Sequence, residues 1–345
     1  MPPLSAPDRL ALQPPPETRR IPPPNKLGTV EILDVQLVHA LYLDGRASFR
    51  RIAAVLGVSE QTIARRYRRL RETGAVRVVG RLDPRFLGHA EEWVLRVRCA
   101  PPATLAVARA LAERSDTYRI QLASGGTEIG CHIQAPDQRA RDALLLDKLP
   151  ATRQVLSIEA HQVLRLFRGG PDGWHTPIAS LSPGQVAELT PPSPAAEPLD
   201  LGDGDRLLLD DLARDGRTSH AALAASTGWH ESTVRRRIDR LRTSGTLYFG
   251  VDFDERLLGW SSHALLWISV SPAALEEAGA ALARCPEIAY AAATTGPANL
   301  LATALCSDAG ALYEFITAQV GSLPGVQTVQ TAPVLRVVKR AAALP

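Results

Sequence analysis

The chain has 345 residues, 45% of them apolar, more than one ordinary hydrophobic core needs and enough for two or more domains. Its 39 basic and 36 acidic side chains leave a net charge of only +3, which by itself argues for neither nucleic acid nor membrane; any basic surface must come from local clustering. No signal peptide is evident and no apolar stretch approaches the ~18 residues of a membrane span, so a cytoplasmic chain without membrane contact is expected. Cys99, Cys131, Cys285 and Cys306 lie in or beside apolar runs, with no C-x-x-C pair and no zinc spacing. They read as buried free thiols, and neither a metal nor a cofactor is expected.

In chain order, residues 1–28 are rich in proline and lack periodic apolar positions, so they are expected to be disordered. Residues 29–83 read as a winged helix-turn-helix. Leu33, Leu37, Val38 and Leu41 recur at helical spacing. Ser48 caps a second helix ending near Leu56, Gly57-Val58 makes a turn, and Ser59 caps a third helix that Gly74 stops. Ala75–Leu82 reads as the wing strand. Residues 84–168 then run strand, helix, strand, strand, helix, strand. This βαββαβ order implies an antiparallel sheet with helices on one face, a ferredoxin-like α+β unit. Residues 169–202, with GGPDGW and TPPSPAAEP, read as a linker holding a short helix at Ser182–Leu189. The same series follows again, a second winged helix-turn-helix over 203–254 and a second α+β unit over 255–340.

The repetition is a true duplication. A shift of 171 residues aligns Asp44-Gly45-Arg46 with Asp215-Gly216-Arg217, Arg65-Arg66 with Arg236-Arg237, and Arg69-Leu70-Arg71 with Arg240-Leu241-Arg242. It continues through Leu87-Gly88 and Leu258-Gly259 to Gly125 and Gly296. The fold class is therefore α+β: two copies of a winged helix-turn-helix followed by a ferredoxin-like βαββαβ domain.

The third helix of each copy carries the chemistry. A recognition helix needs one apolar face to anchor it and one polar face to read base edges. In the first copy Ile63, Tyr67 and Leu70 form the anchor, and Gln61, Thr62, Arg65, Arg68 and Arg69 lie opposite, with Arg66 on the flank. In the second, Val234, Ile238 and Leu241 are the anchor, facing away from Ser232, Thr233, Arg236, Asp239 and Arg240, with Arg237 on the flank. Arginine pairs bidentately with guanine and glutamine with adenine. Ser48 and Ser219, at helix starts, together with Arg46 and Arg217, are expected to meet phosphates, and Ser59, at the start of the third helix, is a further DNA-binding candidate. A lone run of arginines would read equally well as a solvated face; its recurrence opposite an anchor in both copies favours double-stranded DNA as the partner. Asp239 in place of Arg68, and Trp229-His230 in place of Val58-Ser59, predict weaker or different reading by the second copy.

The stretches LDVQLVHALYLDGRASFRRIAAVLGVSEQTIARRYRRLRETGAVRVV and DGDRLLLDDLARDGRTSHAALAASTGWHESTVRRRIDRLRTSGTLYFG carry a resemblance. With their D-G-R-x-S step and R-R-x-x-R-L-R tail, they resemble the DNA-binding domain of the Lrp/AsnC family of bacterial regulators. The resemblance implies that each α+β unit is a ligand-binding and dimerisation domain. It also implies an amino-acid effector site at the turn between the second and third strands, where the family has a Gly followed three residues later by Asp. The matching positions are Gly125 and Glu128, and Gly296 and Asn299; neither copy keeps the Asp. A tandem chain is expected to pair its two α+β units internally as a pseudo-dimer, and a homo-oligomer is expected beyond that. Siroheme decarboxylases have a similar two-domain fold and rely on His and Arg in a pocket. Here His132, His161 and His263 are sparse and unmatched between copies, and no catalytic motif is evident, which favours a regulator over an enzyme.

Overall fold

The computed structural model describes residues 31–83, 91–114, 116–135, 137–169, 178, 180–195, 199 and 201–340. The proline-rich N-terminus and the GGPDGW stretch expected to be linker lie outside them, apart from Gly169.

The first half contains α1 (Ile32–Leu43), α2 (Phe49–Leu56), α3 (Glu60–Glu72), β1 (Val76–Leu82), β2 (Glu91–Cys99), α4 (Thr104–Ala112), β3 (Thr117–Ala123), β4 (Glu128–Ala135), α5 (Gln138–Asp142) and β5 (Val155–Arg168). A connecting helix, α6 (Pro183–Leu189), precedes the second half: α7 (Asp203–Arg214), α8 (His220–Thr227), α9 (Glu231–Thr243), β6 (Leu247–Phe253), β7 (Ser262–Val270), α10 (Leu275–Ala283), β8 (Ile288–Thr294), β9 (Leu300–Cys306), α11 (Ala309–Glu314) and β10 (Val326–Arg340). Helices α5 and α11 each run on into a π-helical turn, Ala143–Lys148 and Phe315–Val320.

The helix starts follow the sequence. Ser48, Ser59 and Ser219 cap α2, α3 and α8 by accepting the N–H groups of Arg51, Thr62 and Ala222. Gly57 and Gly228 end α2 and α8 in the left-handed region, with φ of 67° and 72°, where a side chain would be strained. Helix α6 starts at Ser182, as its sequence predicts, within a capping box with Gln185. It is packed rather than free: Ile178 and Leu189 are fully buried in the core of the first helix-turn-helix. Gln185 Nε2 also donates to the Val55 carbonyl at 3.0 Å.

The strand expected as a wing finds its partner in the other copy. β1 pairs antiparallel with β6, from Val76 opposite Phe253 to Leu82 opposite Leu247. Val79 faces Gly250, its own duplicate, so a pseudo-two-fold axis crosses the strand pair there. The two helix-turn-helix units consequently share one apolar core, in which Leu37, Leu41 and Ile63 are continuous with Leu208, Leu212 and Ile238.

The same symmetry governs the α+β units. Each half-sheet keeps the ferredoxin-like order, and the eight strands close into a barrel, β10-β3-β4-β2-β5-β8-β9-β7. β5 of the first half pairs with β8 of the second, and β10 of the second with β3 of the first, all antiparallel. The outer core of each half lies between sheet and helices, around Leu95, Ile120 and Ile129 in one and Leu266, Ile288 and Leu300 in the other. Val94, Trp267 and Leu301 fill part of the space between the two sheets.

Arg46 and Arg217, expected at phosphates, are turned inward. Arg46 donates to the carbonyls of Gly216 (2.9 Å) and Thr218 (3.2 Å), and Arg217 to those of Gly45 (2.6 Å) and Ala47 (3.0 Å). Arg217 also lies over the ring of Phe49 at 4.4 Å. Burial lowers the pKa of both guanidinium groups. Two further duplicated pairs close the ring: Arg71 meets Asp215 at 2.6 Å and Arg242 meets Asp44 at 2.8 Å. The intervening glycines are needed for approach, since a Cβ on Gly216 would come within 3.0 Å of Val78 Cγ1 and 2.9 Å of Phe249 Cδ1. Gly216→Ala is therefore expected to cost ~1–3 kcal/mol by overpacking. Gly184→Ala in α6, where nothing lies within 4 Å, should be neutral or stabilising by up to ~1 kcal/mol; urea unfolding of the two variants checks the contrast.

Candidate nucleic-acid interface

Helices α3 and α9 are each anchored as their periodicity requires: Ile63, Tyr67 and Leu70 are buried in one, and Val234, Ile238 and Leu241 in the other. On the outer face of α3, Gln61, Arg65, Arg68 and Arg69 are exposed and Thr62 is half-buried. Ser59 Oγ accepts the Thr62 N–H at 3.1 Å and lies 2.8 Å from Thr62 Oγ1, which fixes the helix start. On α9, Ser232, Arg236 and Arg240 are exposed and Thr233 is half-buried. Arg235, exposed beside them, was missed by pattern reading because its first-copy counterpart is Ala64.

Two expected DNA contacts are instead structural in placement. Arg66 Nη1 binds Asp34 at 3.1 Å and its Nη2 pairs with Glu31. Arg237 holds Asp205 through Nε at 2.7 Å and Nη2 at 2.6 Å. Asp34 and Asp205 are almost fully buried. Burial alone would raise the Asp205 pKa, but the Arg237 bonds and the Gly202 N–H hold it below the usual range. These pairs tie the first helix of each unit to its recognition helix. Arg69 shares in this, with Nη2 at 2.5 Å from Asp34 while remaining half-exposed.

The outer faces of α3 and α9 differ in their surroundings. The connecting segment runs beside α9, where the Ala195 N–H donates to the Thr243 carbonyl at 2.7 Å. Ala195 and Leu199 line a cavity of about 580 Å³ with Arg235, Arg236 and Arg240. Ser244 at the end of α9 is buried, whereas its duplicate Thr73 at the end of α3 is exposed.

The two effector turns are engaged unequally by protein groups. Gly125 has φ 71° and makes the first turn. Glu128 is buried, its Oε2 3.0 Å from Arg96 Nε, while its Oε1 has no hydrogen-bond partner. In the second copy, Asn299 accepts the Val270 N–H at 2.9 Å and donates to the Val270 carbonyl at 2.8 Å. Gly296 is packed against His161; a Cβ there would lie 2.5 Å from Nδ1.

The three strand histidines also face protein partners. His161 Nδ1 lies 2.7 Å from the Thr295 carbonyl, and His263 Nε2 3.1 Å from the Gln121 amide. His132 Nδ1 lies 3.2 Å from the Tyr118 hydroxyl, which donates to Glu92. Burial and the Arg119 charge lower the His132 pKa to about 3. Among the described residues no cluster of His, Cys, Asp and Glu could hold a metal, and no helix is long and apolar enough to cross a membrane.

The geometry defines a double helix-turn-helix protein with its basic faces outward. The AsnC-type helix-turn-helix model matches residues 32–71 and 201–242, and the Lrp/AsnC ligand-binding domain model matches 263–344. HTH-type transcriptional regulator FL11 of Pyrococcus horikoshii is 32% identical over 142 residues, 41% of this chain and 93% of that protein. FL11 of Pyrococcus furiosus is also 32% identical, over 42% of this chain and 96% of its own length. Across nearly the whole tandem chain, the siroheme decarboxylase NirDL shares the fold at 14% identity and a TM-score of 0.56, covering 89% of this chain and 92% of that one. The chain belongs to the Lrp/AsnC family of transcriptional regulators.

Two outcomes follow from the placements. Arg237→Ala strands the buried Asp205 carboxylate and should cost ~3–5 kcal/mol, whereas Arg236→Ala, exposed one residue away, should stay within ~0.5 kcal/mol; thermal unfolding measures both. His132 is held neutral, so its contribution is complete above its ordinary pKa of 6.5 and is lost as pH falls from there towards about 3. The stability of the parent should fall over that window by up to ~1.4 kcal/mol per pH unit from this group. His132→Asn should flatten the slope.

Proposed function

We propose that one polypeptide supplies both halves of a sequence-specific DNA-binding dimer, a pseudo-dimer built from 29–168 and 203–340 and joined by 169–202. The observation that carries this reading is the β1–β6 pairing with its reciprocal Arg46 and Arg217 bonds, which relates the two helix-turn-helix units by a pseudo-two-fold. Two-fold protein symmetry matches an inverted repeat in DNA. Because α3 and α9 carry different residues, the preferred site is an imperfect inverted repeat with unequal half-sites.

The first unit reads bases most strongly. Gln61, Thr62 and Arg65 near the start of α3 face base edges, and Arg68 and Arg69 hold phosphates. The second reads through Ser232, Thr233, Arg236 and Arg240, more weakly, since Asp239 opposes phosphate and the connecting segment flanks the helix. Ser48 and Ser219 bring helix N-termini to the backbone. An amino-acid effector at Gly125 and Glu128 is supported by the unpartnered Glu128 Oε1, an acceptor for an ammonium group. Gly296 and Asn299 offer less, because both amide atoms of Asn299 are engaged. Association of whole chains into larger homo-oligomers and a cytoplasmic location complete the proposal. The fold shared with NirDL brings no reaction to this chain, whose strand histidines are bonded internally.

Selection of bound fragments from random DNA, followed by titration, tests the reading. One chain is expected per complete site, with two unequal half-sites about one helical turn apart. Affinity should fall steeply with salt. Arg65→Ala should cost ~1–3 kcal/mol and relax preference at one position, and Arg68→Ala should lower the salt slope by about 1 without altering preference. Unchanged affinity in both variants would show that α3 does not read DNA.

A further inference from the structure

Positions related by the 171-residue shift that meet on the pseudo-axis would, in a pair of like halves, face themselves. Two such positions carry complementary groups. Arg81 and Asp252 are duplicates, and Arg81 Nη2 binds Asp252 Oδ1 at 2.8 Å. The Arg81 side chain reaches it by lying across Gly250; a Cβ there would be 3.3 Å from Nε. The duplicate of Gly250 is Val79, so a first half offers no such bed to another first half. Arg96 and Trp267 are also duplicates, and the Arg96 guanidinium lies 5.3 Å over the Trp267 ring between the two sheets. Trp267 is fully buried and Arg96 nearly so.

We infer that the pairing face of each half accepts the other type of half and rejects its own kind. Two first halves would bring both Arg81 side chains together over a valine, and would bring two Arg96–Glu128 pairs into a buried space with no ring for either guanidinium to lie on. Two second halves would leave both Asp252 carboxylates on the seam with no arginine to reach them, each opposite a Tyr248, and would crowd two buried tryptophans. Like charges across a partly desolvated seam are strongly unfavourable, and overfilling a packed space adds to the cost. The partner that fits is a second half, from the same chain or from another copy. This inference rests on the pseudo-dimer reading and goes beyond it, since that reading alone permits like halves to pair.

The test uses the full chain with a specific protease site at 196–198, beyond α6, so that the helix stays with the half it packs on. Nicked chain is mixed with isotopically labelled nicked chain and weighed by native mass spectrometry. One-to-one complexes of unlike halves are expected, exchanging label but never forming like pairs. Arg81→Asp and Asp252→Arg should each weaken the complex at least tenfold, and the double exchange R81D/D252R should recover most of the loss. In the intact chain the same three variants should lower the Tm by roughly 2–4 °C or more for each single change, with recovery in the double. Like pairs at comparable abundance, or single variants as tight as the parent, would overturn the selectivity while leaving the pseudo-dimer standing. A nicked parent that separates into folded single halves would overturn both.

Discussion

The molecule depends on the contact between its two D-G-R turns. Each arginine crosses the pseudo-axis to cap carbonyls in the opposite turn, and each glycine lets the opposite strand come close enough for this. The surrounding Arg71–Asp215 and Arg242–Asp44 pairs repeat the pattern one layer out. Charged hydrogen bonds in a half-buried seam are stronger than the same bonds in water. They are also directional, so they set the orientation of one helix-turn-helix against the other. Without that constraint α3 and α9 would have no fixed angle to one another. The placement of the two exposed, arginine-bearing helix faces is therefore a product of an internal contact on the opposite side of those helices.

Duplication supplies the symmetry, and divergence then uses the freedom a single chain allows. In a homodimer each change is imposed twice, so a residue on the axis must tolerate itself. Here Arg81 and Asp252, or Arg96 and Trp267, differ and interact. The same freedom separates the outer faces of α3 and α9, with Arg68 on one and Asp239 on the other. It also separates the two turns of the α+β units, where Glu128 keeps a buried carboxylate and Asn299 has become a bridge to β7.

Much of this was legible in the sequence. The constant offset revealed the two copies, and 3.6-residue periodicity gave the anchors Ile63, Tyr67 and Leu70 because a buried face is a local property. The βαββαβ order was readable for the same reason. The partner of β1 was not, since an alternating strand does not state which edge it joins. Arg46 and Arg217 looked like phosphate ligands because a pattern does not say whether an arginine faces solvent or another unit. The signal available was the adjacent glycine, duplicated with them and required by close approach. Arg66 and Arg237 read as DNA contacts from the flank of their helices, whereas Asp34 and Asp205, which recur at the same offset, pair with them.

The closed barrel has a kinetic consequence. Closure leaves the eight barrel strands without a free edge, but only when both halves are present. Until then the first half exposes the outer sides of β3 and β5, two ready templates for pairing with another chain. At ~5–20 residues per second, synthesis of the remaining half takes on the order of ten to thirty seconds. Throughout that interval the nascent first half stands next to identical neighbours on the same message. A face ill-suited to its own kind protects the chain when its edges are bare, and the arrival of β8 and β10 ends the exposure.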